Sequence, residues 1–298
     1  MTELSTGLAI STVGNATADL GEGPYWDADS SILLWVDIPA GLLHRTDPET
    51  GDTETIDIGV QLSAAFPAEG GLLLARRNEL IFRGQGGSRQ VVARTDDNPE
   101  EIRFNDGIVD PRGRVWIGSM DIDEAEHIGR LYRLEPEGSL SPLVTRVTVS
   151  NGLGYSPDGS QMYHIDSSAK RIDVYAYHLG SGELGERRQL ADLSDVAGFP
   201  DGMTVDADGY LWVAMFAGGA LRRYSPAGQL DAVFPLPVSH PTSCAFGGEE
   251  LRDLFITTAS DRLSADERAG QPLAGRLLRM RPGATGQPAA SAKAVIPG

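Results

Sequence analysis

The sequence predicts an all-β protein, a six-bladed β-propeller in which residues 1–298 form a single domain. A motif recurs in which a polar residue precedes a tight-turn residue by eight positions: 22 to 30, 105 to 113, 151 to 159 and 201 to 209. A repeat of roughly 40–50 residues is typical of a four-stranded propeller blade. Sustained helical periodicity is missing from the sequence, so the repeating units are predicted to be strands.

Each unit contains a polar residue, a short strand, a tight turn and a second strand. The second strands, ILLWVD, RVWIGS, QMYHID and YLWVAM, are rich in β-branched and aromatic residues, which favour strands. Weaker copies over 63–83 and 243–281 bring the number of units to six. We expect 1–18 to be an N-terminal extension, 261–272 a loop with a short helical turn, and 283–298 a C-terminal tail that could close the last blade.

The charge and composition limit the classes of partner. Forty-two acidic and 25 basic side chains give a formal charge of −17, which disfavours nucleic acid and anionic membranes and favours a divalent cation or a small molecule. Cys244 is the one cysteine, so an intramolecular disulfide is excluded. The sequence shows neither a signal peptide nor an apolar run of the roughly 18–20 residues that a membrane span needs. We expect a cytoplasmic protein; the oligomeric state is not predicted.

The polar residue that opens each of the four clear units is Glu22, Asn105, Asn151 or Asp201. Each stands at the start of the innermost strand of its blade, so the four should converge on the propeller axis. Asn-Gly and Asp-Gly are ordinary turn dipeptides, but Glu22 is a poor turn former. Converging carboxylates and amides need a partner between them, and a hard divalent cation prefers oxygen ligands. The pattern therefore predicts a metal on the axis.

Six ordered motifs resemble those of one known family: GEGPYWD (21–27), RFNDG (103–107), SNGL (150–153), PDGM (200–203), LWVA (211–214) and TSCAFGG (242–248). The chain resembles the senescence marker protein, gluconolactonase and luciferin-regenerating enzyme family, which includes regucalcin. This resemblance implies a six-bladed propeller with one divalent metal on its axis that hydrolyses the lactones of sugar acids.

The resemblance also implies roles for particular residues. Glu22, Asn151 and Asp201 match the metal ligands of the family, and Arg103 and Asn105 match the residues that hold substrate hydroxyls.

Two further acidic positions follow from the same resemblance. Asp106 is expected to support the site. The family has a substrate-contacting Glu shortly after the second strand of the third unit; direct counting places Asp123 there, with Asp121 and Glu124 close by.

Lactone hydrolysis needs a polarised carbonyl and a delivered water. A metal would supply the first, and Asp201 is our candidate general base for the second. Three oxygen ligands suit Ca²⁺, Mg²⁺ or Mn²⁺ and do not exclude Zn²⁺. The histidines are scattered without metal-binding spacing, and the GxSxG motif of serine hydrolases is missing.

Three functions remain open. The first is metal-dependent hydrolysis of a five- or six-carbon aldono-lactone. The second is hydrolysis of an organophosphate or another ester at the same metal site, and the third is a non-catalytic Ca²⁺-binding propeller. A polar pocket would favour the first function and an apolar pocket the second; Phe104, Phe199 and Phe216 are candidates for the mouth of the pocket.

Overall fold

The computed structural model describes residues 8–293, and it contains six four-stranded antiparallel sheets, in five of which all pairs are formed by consecutive strands. The predicted six-bladed β-propeller is confirmed. In the described range, helix is limited to one six-residue α-helix and one 3₁₀ turn. The search for membrane-spanning helices in that range finds none that is long and apolar enough.

The elements follow one another in a regular order. The first strand is β1 (Ser11–Thr17). Blade 1 contains β2 (Gly21–Asp27), β3 (Ile32–Asp37), β4 (Leu42–Thr46) and β5 (Thr53–Asp57); blade 2 contains β6 (Leu62–Ala68), β7 (Gly71–Arg76), β8 (Glu79–Gly84) and β9 (Arg89–Arg94). Blade 3 contains β10 (Ile102–Val109), β11 (Val115–Asp121), β12 (Gly129–Leu134) and β13 (Leu140–Val147).

The second half repeats this order. Blade 4 contains β14 (Ser150–Tyr155), β15 (Gln161–Asp166), β16 (Arg171–His178) and β17 (Glu183–Asp192); blade 5 contains β18 (Phe199–Val205), β19 (Leu211–Phe216), β20 (Ala220–Tyr224) and β21 (Leu230–Pro235). Blade 6 contains β22 (Pro241–Gly247), the 3₁₀ turn Glu249–Leu251, β23 (Asp253–Thr258), the helix α1 (Ala265–Gly270) and β24 (Arg276–Met280).

The fourth strand of blade 6 comes from the N-terminal part of the chain. β1 pairs antiparallel with β24, with Ser11 opposite Arg279. The expectation that the 283–298 tail closes the last blade is therefore corrected for the described residues. The tail instead runs across other blades, where Gly286 forms a bridge to Asp206 and Ala292 a bridge to Ala68. Residues 294–298 lie outside the described range.

Large side chains on the second strands fill the space between blades. Trp35, Trp116, Trp212, Tyr163 and Phe255 each lie on the second strand of a different blade and are at most 1% exposed. Aromatic side chains of this size bury the largest apolar areas in a core. The aromatic residues that predicted the second strands therefore also hold neighbouring blades together.

The polar-Gly dipeptides lie inside the inner strands and not in turns. Each of these strands has an irregular register beside the dipeptide, between Glu22 and Tyr25, Phe104 and Gly107, Asn151 and Leu153, and Pro200 and Met203. The prediction that the polar residues stand on the innermost strands is therefore confirmed, and the alternative that they only form turns is wrong. β-bulges re-aim side chains and are common beside active sites.

The second signal of each motif does mark a turn. Gly113, Gly159 and Gly209 have φ angles of 90°, 67° and 84°. In the first unit the left-handed residue is Ser31, with φ of 56°, one position after the predicted Ser30.

Glycine at the bulges lets the inner strands approach one another near the axis. A Cβ atom on Gly202 would lie 2.4 Å from the Cβ of Ser243 in the next blade, and one on Gly152 would lie 2.7 Å from the backbone oxygen of Asp201. Both distances are shorter than van der Waals contact. The glycine that follows Asn151 and the one that follows Asp201 therefore let these axial residues lie close to the neighbouring blade.

Candidate active site

A cavity opens at the rim where the inner strands begin and the second strands end. Fifteen residues line the cavity, and five of them are apolar: Leu20, Met120, Val149, Phe199 and Phe216. The other ten are charged or polar. The lining therefore offers hydrogen-bonding partners for hydroxyl groups as well as apolar surface.

The structure brings together the axial residues that the sequence motif picks out. Glu22, Asn105, Asn151 and Asp201 all line this cavity, together with Arg103. The first four are each 5–8% exposed. Four side chains from four blades thus line one cavity.

Hydrogen bonds fix the orientation of the two amides. Asn105 donates from Nδ2 to Oδ1 of Asn151 at 2.8 Å, and Arg103 donates from Nη1 to Oδ1 of Asn105 at 2.8 Å. Asn151 donates from Nδ2 to Oγ of Ser167 at 2.9 Å, and that hydroxyl donates to the Pro200 carbonyl at 2.7 Å. Since the Nδ2 group of Asn151 is engaged by Ser167, its Oδ1 atom is on the side of Asn105.

Burial strongly perturbs the carboxylates around the axis. It raises the pKa of Glu22 to about 8, and the negative charge of Asp106 adds to the shift. The pKa of Asp201 is raised well above its usual value by burial and then by the charge of Glu22. Burial also raises the pKa of Asp106 to about 6 and lowers the pKa of Arg103 to about 10.

The donor set fits a hard divalent cation. Glu22, Asp106 and Asp201 place three carboxyl groups in one electrostatic neighbourhood, where Arg103 is the guanidinium that favours the charged form of Glu22. Groups of three His, Cys, Asp or Glu with metal-binding arrangement are not found within residues 8–293. A cation here would therefore need an amide oxygen, such as Oδ1 of Asn151, beside the two axial carboxylates.

The acidic residues after β11 are arranged differently from the direct count. Glu124, half-buried, lines the cavity, whereas Asp123 is exposed and is not part of the lining. Asp121 is buried, and its carboxylate accepts hydrogen bonds from the backbone N–H groups of Ala125 and Glu126 at 2.9 and 2.7 Å. The assignment of Asp123 to the cavity is therefore corrected, because the loop that Asp121 holds turns Glu124 inward.

Several lining residues were missed in the sequence. Ser167 and Ser168 follow β15, and Asp261 and Arg262 follow β23. All of them come within four residues of the end of a second strand, which lies at the same rim as the start of an inner strand. The position of a residue just after a predicted second strand is therefore the sequence signal that could have identified them.

Phe104, Cys244 and His164 do not line this cavity. Phe104 is buried in the core against Tyr132 and does not line the mouth, unlike Phe199 and Phe216. Cys244 is buried, and burial raises the pKa of its thiol, which disfavours a nucleophilic role. His164 is buried beside the Ser150 hydroxyl at 2.8 Å.

The fold and the cavity define a six-bladed propeller with a polar, acid-rich site on its axis. Comparison with known proteins identifies the family: the model described as "SMP-30/Gluconolactonase/LRE-like region" matches residues 20–260. The chain belongs to this family, and it is a gluconolactonase-like enzyme, a hydrolase of carboxylic esters.

Two relatives and one solved structure illustrate the similarity. The chain is 37% identical over 287 residues to pentonolactonase XacC of Haloferax volcanii, covering 94% of this chain and 97% of the relative. It is 38% identical over 268 residues to 6-deoxy-6-sulfogluconolactonase of Pseudomonas putida, covering 88% and 91%. The structure of a calcium-binding protein, regucalcin, from Agrobacterium tumefaciens matches with a TM-score of 0.91 at 25% identity, covering 97% and 98%.

Proposed function

We propose that this protein hydrolyses the lactone of a five- or six-carbon sugar acid, with one divalent cation held by Glu22, Asn151 and Asp201. The observation that carries the proposal is that these three oxygen-bearing side chains line one cavity, together with seven other charged or polar residues and five apolar ones. The relatives named pentonolactonase and 6-deoxy-6-sulfogluconolactonase support a sugar lactone as the substrate class. The relative described as calcium-binding supports a divalent cation.

The bound cation would supply Lewis-acid polarisation of the lactone carbonyl. Arg103 orients the sugar hydroxyls with its remaining N–H donors, and Asn105 offers its Oδ1 atom as an acceptor, because both Nδ2 hydrogens of Asn105 are engaged by the Ser150 carbonyl and by Asn151. The 2.8 Å hydrogen bond between Arg103 and Asn105 fixes the two side chains relative to each other. Glu124 offers a carboxylate acceptor for hydroxyls at the mouth. The ligand is thereby placed between the axial carboxylates and the mouth.

Asp201 acts as the general base in this proposal. The water oxygen adds to the carbonyl carbon while its proton passes to the Asp201 carboxylate. The ring C–O bond then breaks, and the proton passes to the departing ring oxygen, so that the lactone and one water give the open sugar acid. Burial raises the pKa of Asp201 in the metal-free protein, and a bound cation would favour the charged carboxylate that can accept the proton.

The test is proton release from a panel of sugar lactones by chelator-treated protein to which single metals are added back. Each rate is compared with an enzyme-free control that contains the same metal, since lactones also hydrolyse spontaneously. Metal-dependent turnover of one or two lactones would support the proposal. If a cation binds tightly and lactones are not turned over, the lactonase proposal fails and ester or phosphoester substrates are tested next.

A further inference from the structure

Two loops from distant parts of the chain meet at the mouth of the cavity. The mouth loop, residues 122–128, follows β11, and the insertion loop, residues 261–272, follows β23. Arg262 of the insertion loop forms a two-point ion pair with Glu124 of the mouth loop, with Nη1 3.3 Å from Oε2 and Nη2 against Oε1. Both residues line the cavity.

The backbone at both ends of this ion pair is in the left-handed region. Glu124 has φ of 57° and Arg262 has φ of 62°. Such conformations are uncommon for residues other than glycine, and they persist only where the surroundings impose them. The two side chains are therefore directed at each other by the construction of their loops.

Independent contacts fix the position of Arg262. Its guanidinium lies 5.8 Å from the centre of the Phe216 ring, which stacks on His240 at 4.3 Å. The backbone N–H of Asp261 donates to the Asp19 carbonyl at 2.8 Å. The contacts with Phe216 and with the Asp19 carbonyl thus fix the start of the insertion loop.

The mouth loop is also held, and Arg103 lies within electrostatic reach of Glu124. The Asp121 carboxylate caps the mouth loop through the backbone N–H groups of Ala125 and Glu126. The charge of Glu124 acts on Arg103, and so does the opposite charge of Arg262. Glu124 therefore has two guanidinium groups in its neighbourhood, and the structure pairs it with the one at the mouth.

We propose that Arg262 is a positioning residue that holds the Glu124 carboxylate at the mouth and away from Arg103. Arg103 then keeps its hydrogen bond to Asn105 and remains available to the ligand. Without Arg262, Glu124 turns toward Arg103 and competes with both Asn105 and the substrate hydroxyls. This proposal rests on the proposed lactonase function for its kinetic readout, but its loop readout is independent of that function.

The kinetic test is a double-mutant cycle with Arg262→Ala, Glu124→Gln and the double variant, with Arg45→Ala as control. Arg45 forms a comparable exposed ion pair with Glu54 in blade 1, away from the site. We expect Arg262→Ala to raise KM by roughly tenfold, with a smaller change in kcat. In the Glu124→Gln background the same substitution should change KM less than about twofold, because the neutral amide does not compete for Arg103.

Partial rescue by Arg262→Lys would agree with the proposal, since Lys retains the charge but not the two-point geometry. An equal cost of Arg262→Ala in both backgrounds would overturn it, because the arginine would then act directly on the substrate or on the fold alone.

The second readout is hydrogen exchange of the mouth loop in the metal-free protein. We expect the backbone N–H groups of residues 122–126 to exchange several-fold faster in Arg262→Ala than in the wild type. The exchange of the α1 amides should be unchanged in Arg262→Ala, and the exchange of residues 122–126 should be unchanged in the control variant Arg45→Ala. If the wild-type protein turns over no lactone, this measurement alone decides the positioning role. Unchanged exchange in the mouth loop would overturn it.

Discussion

Asn105 donates its side-chain N–H to Oδ1 of Asn151 at 2.8 Å while its own Oδ1 accepts from Arg103 at 2.8 Å. This amide therefore connects a residue assigned to substrate binding with one assigned to the metal. The connection crosses from blade 3 to blade 4. It explains why a donor–acceptor side chain stands at this position and a carboxylate does not.

The first prediction concerns this amide. Asn105→Asp replaces the donor by an acceptor, so the bond to Asn151 is lost and a further negative charge enters the acidic cluster. We expect kcat/KM to fall about 10²-fold or more, because a group in the middle of a buried network cannot be replaced without leaving partners unsatisfied. Steady-state kinetics on the best lactone measure the effect. Asn78→Asp is the control, and a comparable loss there would point to a general effect on folding.

The second prediction separates stability from turnover at Asp201. Asp201→Asn removes one buried carboxyl from a cluster whose members raise one another's pKa. We expect the free energy of unfolding of the metal-free variant to equal or exceed that of the wild type, while kcat falls about 10²–10⁴-fold. Urea unfolding in chelator and steady-state kinetics provide the two numbers. Near-native turnover would remove Asp201 from the general-base role.

The third prediction concerns cation binding. A ligand that binds only the folded state adds about 2.7 kcal/mol to the free energy of unfolding at about 100 times its Kd. We expect an increase of this size with the activating cation, and a much smaller one in Glu22→Gln at the same concentration. Urea unfolding with and without cation measures it. Equal stabilisation of the two proteins would place the cation elsewhere.

The structure and the sequence agree on the features that short-range patterns encode. Trp35, Trp116 and Trp212 mark second strands, and the spacing from Asn105 to Gly113 marks one inner strand and its turn. The convergence of Glu22 with Asp201 follows from topology alone, because equivalent positions in a radial repeat meet on the axis. These features need no knowledge of contacts between distant residues.

The remaining features depend on long-range contacts. Which of Asp121, Asp123 and Glu124 faces the cavity depends on the capping of one loop and on Arg262, 138 residues further along the chain. The bulges could not be distinguished from turns, since Asn-Gly suits both. Likewise, β1 and β24 pair although they lie near opposite ends of the chain, so a local sequence pattern does not predict their pairing.

The fourth prediction concerns the close approach of the inner strands. Gly202→Ala places a Cβ atom 2.4 Å from the Cβ of Ser243, next to a β-bulge. We expect a loss of about 1–3 kcal/mol in the free energy of unfolding, because the strands must separate to accept the methyl group. Gly180→Ala is the matched control, since nothing lies within 4 Å of its added Cβ. Equal stability of the two variants in urea unfolding would contradict the packing argument.

The fifth prediction concerns pH. Burial lowers the pKa of His164 from 6.5 to about 4, so the unfolded chain binds a proton between these values that the folded state does not. The stability contributed by neutral His164 is therefore complete above pH 6.5 and is lost as the pH falls toward 4, by about 2 kcal/mol at pH 5.

The change that tests this is His164→Gln, which should flatten the fall in stability between pH 7 and pH 5 measured by urea unfolding. The exposed His178→Gln variant controls for the loss of a histidine. A slope in His164→Gln as steep as in the wild type would assign the acid sensitivity to other groups.

The pairing of β1 with β24 has a consequence for biosynthesis. During translation the first strand emerges early, but its partner is made only after five other blades. Until then β1 lacks its strand partner and blade 1 lacks the neighbouring blade 6, and an unpaired strand edge can associate with other chains. Ring closure is therefore a late step, because it needs both β1, which is made near the start of synthesis, and β24, which is made near its end. Nascent chains halted before β24 should self-associate more readily than the finished protein.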